Sequence, residues 1–274
     1  MAKDLLLEIG TEEVPAHFMP GILAQLKEKA TAKFQEMRLD FDEVTTLGTP
    51  RRTALLVKNL AETQQGASSE YKGPSTAIAF DKDGNPTKAA IGFARGKKVD
   101  VADLVVKDGY VYAVSSEEGK QTVELLPTLL KELVEGLNFP KNMRWGDLDF
   151  RFVRPLRWLV ALYDEEVIDF TVANVKSGRV SRGHRFLSEG DFTINKASDY
   201  EQACKDAFII VDQEKRRDII KAQIEEIAKA HNGHAEITED LLEEVTYLVE
   251  YPTAFYGEFN EDYVKLPKEV VTTP

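Results

Sequence analysis

Two arginine-rich windows are the residues best able to do chemistry in this sequence. Arg144, Arg151, Arg154 and Arg157 fall within one short stretch, interleaved with Trp145, Phe150, Phe152 and Trp158. Lys176, Arg179, Arg182, His184 and Arg185 follow in a stretch that contains no acidic residue, and Gly178 and Gly183 make its backbone pliable. A guanidinium fork matches phosphate oxygens, and an aromatic ring can stack on an unpaired base. The chemistry offered is recognition of an anion. In the first window Asp147 and Asp149 sit among the arginines, so internal ion pairing competes evenly with an external ligand. The second window has no such acids, which favours an anionic ligand or partner. Arg51-Arg52, after the Gly48-Thr49-Pro50 turn, is a smaller basic spot, of a kind usually solvated or paired with acids of a neighbouring element.

Other constellations are weaker. Gly92-Phe93-Ala94-Arg95-Gly96-Lys97 is one residue short of a phosphate-binding P-loop. Asp81, Asp83 and Asn85 alternate as in a calcium loop, but Pro86 stands where glycine is needed and Gly92 where the closing glutamate belongs, so a turn is expected. No Gly-x-Ser-x-Gly elbow occurs. His231 and His234 straddle an expected helix end and lack further ligands nearby in sequence. Cys204 has no neighbouring histidine and reads as a structural thiol. Glu12-Glu13 follows a strand and a glycine. The pair could do acid–base work, but acids that offset the dipole of a following helix are the simpler reading.

The elements that must position these residues follow from hydrophobic period. Leu5-Leu6-Leu7 with Ile9 predicts a buried strand ending at Gly10. Ile22, Leu23, Leu26, Ala30 and Phe34 predict a helix beginning near Pro15. Val44–Leu47 and Ala54–Val57 read as strands, and residues 61–69 as a linker. Ala77–Phe80 before Asp83-Gly84 reads as a hairpin or strand end, and Thr87–Arg95 as a short helix. Asp108-Gly109 marks a hairpin, and Leu125 to Leu137 a helix closed by Pro140. Trp158–Tyr163 reads as a central strand with Val167–Val175 as its partner. Residues 198–251 read as mainly helical, with Asp212 and Thr238 as N-caps and Gly233 at a C-cap.

The 274 residues are 43% hydrophobic and 30% charged, enough apolar material for a core without disulfides or metals. The expected class is α+β, with two or more mixed sheet-and-helix subdomains: a βαββ-like unit at 1–62, a small α+β unit at 63–140, and a strand-rich then helical unit at 141–274. The net charge is −12, so any nucleic-acid surface must be a local basic patch on an acidic body. There is one cysteine, and no run of 18 apolar residues. The opening apolar run is too short for a secretory signal, so the cytoplasm is expected and a membrane is not. The ending Val270-Val271-Thr272-Thr273-Pro274 predicts a chain truncated at its C-terminus.

A set of ordered blocks goes further than the periodicities. They are Leu5-Leu6-Leu7-Glu8-Ile9-Gly10-Thr11-Glu12-Glu13-Val14-Pro15, Thr49-Pro50-Arg51-Arg52, Gly73-Pro74, Phe80-Asp81, Pro86 to Phe93, Met143-Arg144-Trp145-Gly146, Phe152 to Trp158, Gly183-His184-Arg185-Phe186, Val249-Glu250-Tyr251-Pro252 and Leu266 to Val270. Together they resemble the N-terminal part of the β subunit of the tetrameric glycyl-tRNA synthetases. The resemblance implies a role in an α2β2 ligase that joins glycine to tRNA(Gly). ATP, Mg²⁺ and the class II catalytic core would lie on the α subunit, with none on this part of β. The implied partners are the α subunit, tRNA(Gly) and the remaining β-subunit domains. The central part is similar to the B3/B4-type module of phenylalanyl-tRNA synthetase β subunits; an editing activity is not carried over. No catalytic residue is transferred. The basic windows stand as tRNA- or partner-binding residues, and a scaffold without nucleic-acid contact is the alternative.

Overall fold

The unbroken run Leu5-Leu6-Leu7 is explained by the sheet it builds. The computed structural model describes residues 2–271. Its strands are β1 (Ala2–Thr11), β2 (Glu43–Thr49), β3 (Arg52–Ala61), β4 (Ala67–Ser75), β5 (Val105–Lys107), β6 (Tyr110–Glu117), β7 (Leu156–Tyr163), β8 (Glu166–Val167), β9 (Thr171–Val172), β10 (Val175–Gly178), β11 (Val180–Arg182) and β12 (Asp191–Thr193). Its helices are α1 (Met19–Glu36), α2 (Thr76–Ala79), α3 (Lys88–Gly96), α4 (Thr122–Glu135), α5 (Tyr200–Asp206), α6 (Gln213–Ala230), α7 (Glu239–Thr246) and α8 (Lys268–Val271). A seven-stranded sheet runs β2-β3-β1-β7-β10-β9, with β8 also on β7; the fold is α+β. Only the β7–β10 pair is parallel.

β1 lies between β3 and β7, and both sheet faces are covered. Successive side chains of a strand point to opposite faces, so a strand buried on both sides needs apolar residues at every position. Leu5, Leu7 and Ile9 pack into a core with Leu26, Ala30 and Phe34 of α1 and Leu129, Leu130 and Leu133 of α4. Leu6 packs on the other face with Trp158, Val160, Leu162, Tyr200 and Cys204. Glu8 belongs to that second face and is wholly buried. Gly10 lies directly opposite Arg52 on one side and Trp158 on the other. A Cβ at Gly10 would stand 2.0 Å from the Trp158 ring, so only glycine admits the indole.

A separate three-stranded sheet, β4-β6-β5, carries α2 and α3 on a small core of Ala79, Ala90 and Val111. Its hairpin turns through Asp108 and Gly109, both at positive φ, as the sequence implied.

Several sequence expectations need correction. The boundaries at 62 and 141 cut through a shared sheet: β1 pairs with β7 from Leu5↔Tyr163 to Thr11↔Leu156, so β1, β2 and β3 share one sheet with β7, β8, β9 and β10. The helix begins at Met19, after a 3-10 turn at Ala16–Phe18, and the proline at its N-terminus is Pro20. The supposed linker already enters β4 at Ala67. Thr76–Ala79 is a helical turn where a strand end was read. The start of the 167–175 segment pairs with β7 as read, through β8, but the rest divides into β9 and the first residue of β10, and the long neighbour of β7 is β1. Gly233 follows a left-handed Asn232, which is the residue that ends α6. Asp212 caps α6 as read, accepting from the amides of Glu214 and Lys215, whereas the Thr238 side chain makes no capping bond. Residues 272–274 lie outside the described residues. Among those described, no helix is long and apolar enough to cross a membrane.

Candidate functional site

The arginine pair read as the least functional is the most buried. Arg52 lies at the start of β3, opposite Gly10, and is enclosed together with Glu8 and Glu250. Its guanidinium pairs with Glu250 through Nη1, donates from Nη2 to the Arg182 carbonyl at 2.5 Å, and stands with Nε 3.6 Å from Glu8. The Arg52 guanidinium lies 5.5 Å from the Trp158 ring centroid and that of Arg182 5.2 Å. Arg51 donates to Glu250 Oε2 from Nη2 at 2.6 Å and from Nε at 3.2 Å, and to the Gly183 carbonyl at 2.9 Å. The Thr49 hydroxyl donates to Glu250 Oε1 at 2.8 Å. Glu8 accepts from Trp158 Nε1, from the Ser181 hydroxyl at 2.5 Å and from the Tyr200 hydroxyl at 2.6 Å.

Burial acts to raise the Glu250 pKa. The Arg52 charge, with hydrogen bonds from Arg51 and Thr49, overcomes this and holds it below the ordinary carboxylate range. Arg216 is buried nearby on α6 and donates to the carbonyls of Thr246 (2.7 Å), Ile210 (2.5 Å) and Gly48 (2.7 Å). Burial pulls its pKa down to about 10. Arg216 and Glu250 fasten α6 and the segment after α7 onto the end of β2 and the β2–β3 turn, and Glu8 ties Tyr200 of α5 to β1. Arg51 and Arg52 also fix the backbone at residues 182 and 183, from which the second basic window emerges.

Glu8 and Glu250 were missed as partners in the sequence. A lone carboxylate inside Leu5-Leu6-Leu7-Glu8-Ile9 was the available signal, because a buried charge must find a partner. Glu250, some 200 residues from the arginines, carried no local signal.

The exposed windows divide by location. At the C-terminal end of β1, Glu12 and Glu13 draw three arginines together. Arg157 pairs with Glu12 at 3.2 Å, Arg185 with Glu12 at 3.6 Å and Glu13 at 3.2 Å, and Arg154 donates to the Glu13 carbonyl at 3.1 Å. The first turn of α1 holds no acid, so these glutamates answer arginines across the rim and do not offset a helix dipole. The other members lie apart. Arg144 pairs with Asp149 at 3.3 Å, Lys176 with Asp169 at 2.9 Å, and Arg182 with Asp191 at 4.0 Å. Arg179 donates to the Glu165 carbonyl at 2.8 Å, and Arg151 is exposed.

His184 accepts at Nδ1 from the amides of Phe186 (3.3 Å) and Leu187 (3.2 Å). Burial lowers its pKa, aided by Arg51 and Arg52 and opposed by Glu250. The Cys204 thiol is buried beneath the sheet, and burial pushes its pKa far up. His231 stacks on Tyr256 at 3.6 Å. Among the described residues no three His, Cys, Asp or Glu side chains gather as a metal set.

This geometry defines an α+β module with a buried ionic strut and a rim of exposed cations at one end of its main sheet. Residues 5–274 match the family model for the glycyl-tRNA synthetase beta subunit, and the chain belongs to that family. It is 50% identical over 278 residues to the glycine–tRNA ligase beta subunit of Desulfitobacterium hafniense strain Y51. The corresponding subunits of Desulforamulus reducens and Clostridioides difficile strain 630 are 47% and 45% identical over the same length. Each match covers 100% of this chain and 40% of the relative, so the chain spans about two-fifths of the curated relatives it matches.

Proposed function

We propose that the chain is the N-terminal, tRNA-contacting and assembly part of a glycine–tRNA ligase β subunit. It supports the ATP-dependent joining of glycine to tRNA(Gly) in an α2β2 enzyme of the cytoplasm. ATP, Mg²⁺ and the aminoacyl-adenylate belong to the α subunit, and the remaining β-subunit domains complete the assembly. The observation that carries this reading is the rim of Arg154, Arg157 and Arg185. Arg157 and Arg185 are exposed and paired with the surface carboxylates of Glu12 and Glu13, and half-buried Arg154 beside them donates to the main-chain carbonyls of Glu13 and Val153. A surface ion pair of this kind contributes about 0–1 kcal/mol, so an arginine can exchange its carboxylate for a phosphate at little cost. The windows around Arg144, Arg151, Lys176, Arg179, Arg182 and His184 extend the same surface chemistry as secondary contacts.

The test is steady-state aminoacylation by the complete tetramer with Arg154, Arg157 and Arg185 each changed to Ala. The KM for tRNA should rise, and tRNA affinity should depend less steeply on salt, because each lost phosphate contact flattens the slope. Unaltered KM and salt slope would remove the rim from tRNA binding.

A scaffold role without nucleic-acid contact is the second reading. The net charge of −12 favours it, as do the exposed apolar residues Phe255 (90% exposed) and Phe259 (67%) near the end of the chain. Loss of α-subunit association in the rim variants, with tRNA affinity kept, would establish that alternative.

A further inference from the structure

Phe186 is 85% exposed, on the turn that follows the second basic window. A single exposed apolar residue is ordinary on a protein surface. What sets this one apart is the turn beneath it, whose backbone is tied down at residues 182 to 184 and 186 to 188. The Gly183 amide donates to the Gly190 carbonyl at 2.8 Å, and the His184 amide to the Ala207 carbonyl at 3.0 Å. The His184 carbonyl accepts from the Ser188 amide at 3.2 Å and hydroxyl at 2.9 Å. The His184 ring accepts from the amides two and three residues on, those of Phe186 and Leu187. From the interior, Arg51 and Arg52 grip the carbonyls of Gly183 and Arg182. A Cβ at Gly183 would lie 2.0 Å from the Ser188 hydroxyl, so the turn is packed as tightly as it is bonded. Such a turn cannot fold back to bury the ring. Its ordering cost is already met within the fold, which is the condition for presenting a side chain to a ligand.

We infer that Phe186 is a stacking platform for a base of the bound RNA that stands out of its helix, with Arg185, Arg157 and Arg154 taking the adjoining phosphates. The inference rests on the tRNA-binding reading above and deepens it by naming the contact.

Two features favour a base over a protein partner. On the turn itself the exposed apolar residues are Phe186 and Leu187, with the edge-to-face Phe208–Tyr251 pair, each about two-fifths exposed, on neighbouring segments, whereas a stable protein interface buries about 1,600 Å² in total. One ring is sufficient for one base, since stacking contributes about 1–3 kcal/mol per base whatever its identity. The charge also suits a polyanion. Residues 176–187 contain no carboxylate; the acids paired with their cations, Glu12, Glu13, Asp169 and Asp191, lie at the surface, and Glu250 is buried beneath the turn against Arg51 and Arg52.

The experiment uses the complete α2β2 enzyme and a tRNA(Gly) transcript, with affinity measured by filter binding over a range of salt. Phe186→Ala should weaken binding about tenfold and leave the salt slope unchanged, because no counterion-releasing contact is lost. Phe186→Trp should restore affinity and Phe186→Leu should not, since leucine supplies apolar area without a π face. The thermal midpoint should hold in all three, as the ring makes no part of the core. If Phe186→Ala binds like the parent while the rim arginine variants bind weakly, the stacking inference falls and tRNA contact by the rim stands. If neither set changes affinity, both fall together. Rescue by leucine as complete as by tryptophan, or dissociation of the α subunit on Phe186→Ala, would make the turn an apolar protein contact and overturn the proposal.

Discussion

Arg51 and Arg52 on one side, and Arg154, Arg157 and Arg185 on the other, are the same chemical group placed in two dielectric settings. The first pair lies inside, hydrogen-bonded to Glu250 and to the carbonyls of Arg182 and Gly183. The second set lies at the surface, where Arg157 and Arg185 pair with the carboxylates of Glu12 and Glu13 in contact with water and half-buried Arg154 donates to the Glu13 main-chain carbonyl. A buried ion pair that loses one partner strands the other charge in a medium that cannot solvate it, whereas a surface pair that loses one partner regains water. The interior arginines are therefore committed to the fold. The rim arginines are free to trade partners, and only those can be a binding surface. Interior and rim are nonetheless joined, because the buried pair holds the backbone from which Arg185 projects.

The sharpest way to break this comparison is to remove Glu250. Glu250→Ala leaves two buried guanidiniums without their carboxylate, and should destabilise the chain by about 3–5 kcal/mol in chemical denaturation. Glu250→Gln, which keeps the shape and one acceptor, should cost less. A loss below about 1 kcal/mol for the alanine variant would mean that water reaches the pair, and the division into interior and rim would collapse.

The sequence showed one half of this contrast and hid the other. Helices and strands with a clear period, such as Ile22 to Phe34 or Trp158 to Tyr163, were legible because local spacing alone determines which face they bury. Sheet order was not legible. Nothing local states that Leu5 pairs with Tyr163, and dividing the chain at 62 and 141 followed from reading neighbours in sequence as neighbours in space. The same limit applied to the arginines. Asp147 and Asp149 lie within the first window, yet among the described residues only Arg144 of that window takes one of them. Glu8 and Glu250 carry no local mark of their partners, because a carboxylate reveals its partner only once the fold has closed.

A smaller effect should appear with pH, and it sharpens the link between the two regions. His184 has its pKa lowered below the ordinary imidazole value, so the unfolded chain binds a proton more readily than the folded one. Its contribution is fully present above about pH 6.5, the ordinary value, and is lost as pH falls through the folded pKa. Glu250 acts in the same direction further down: its lowered pKa gives stability present above about pH 4.3 and lost as pH falls through its own folded value. His184→Asn retains a side-chain oxygen to accept from the turn amides but does not titrate. The thermal midpoint of the parent should drop relative to His184→Asn between pH 7 and roughly 5. A parent that gained on the variant over that range would have the sign of the shift reversed.

The smallest effect belongs to the rim itself, and its smallness is the prediction. Arg157 and Glu12 are each close to half exposed and 3.2 Å apart, so water and salt screen their attraction. A double-mutant cycle on Arg157→Ala and Glu12→Ala should give a coupling energy of about 0–1 kcal/mol, falling as salt is raised. Glu12 also meets Arg185, so the cycle has to be repeated in an Arg185→Ala background to separate the two pairs. If the coupling remains near zero in both backgrounds, the rim arginines contribute little to the fold, and their clustering is left to be explained by what binds them. A coupling above about 2 kcal/mol that resists salt would place the rim with the buried strut as a fastening of the fold, and would remove the physical reason for assigning it a phosphate.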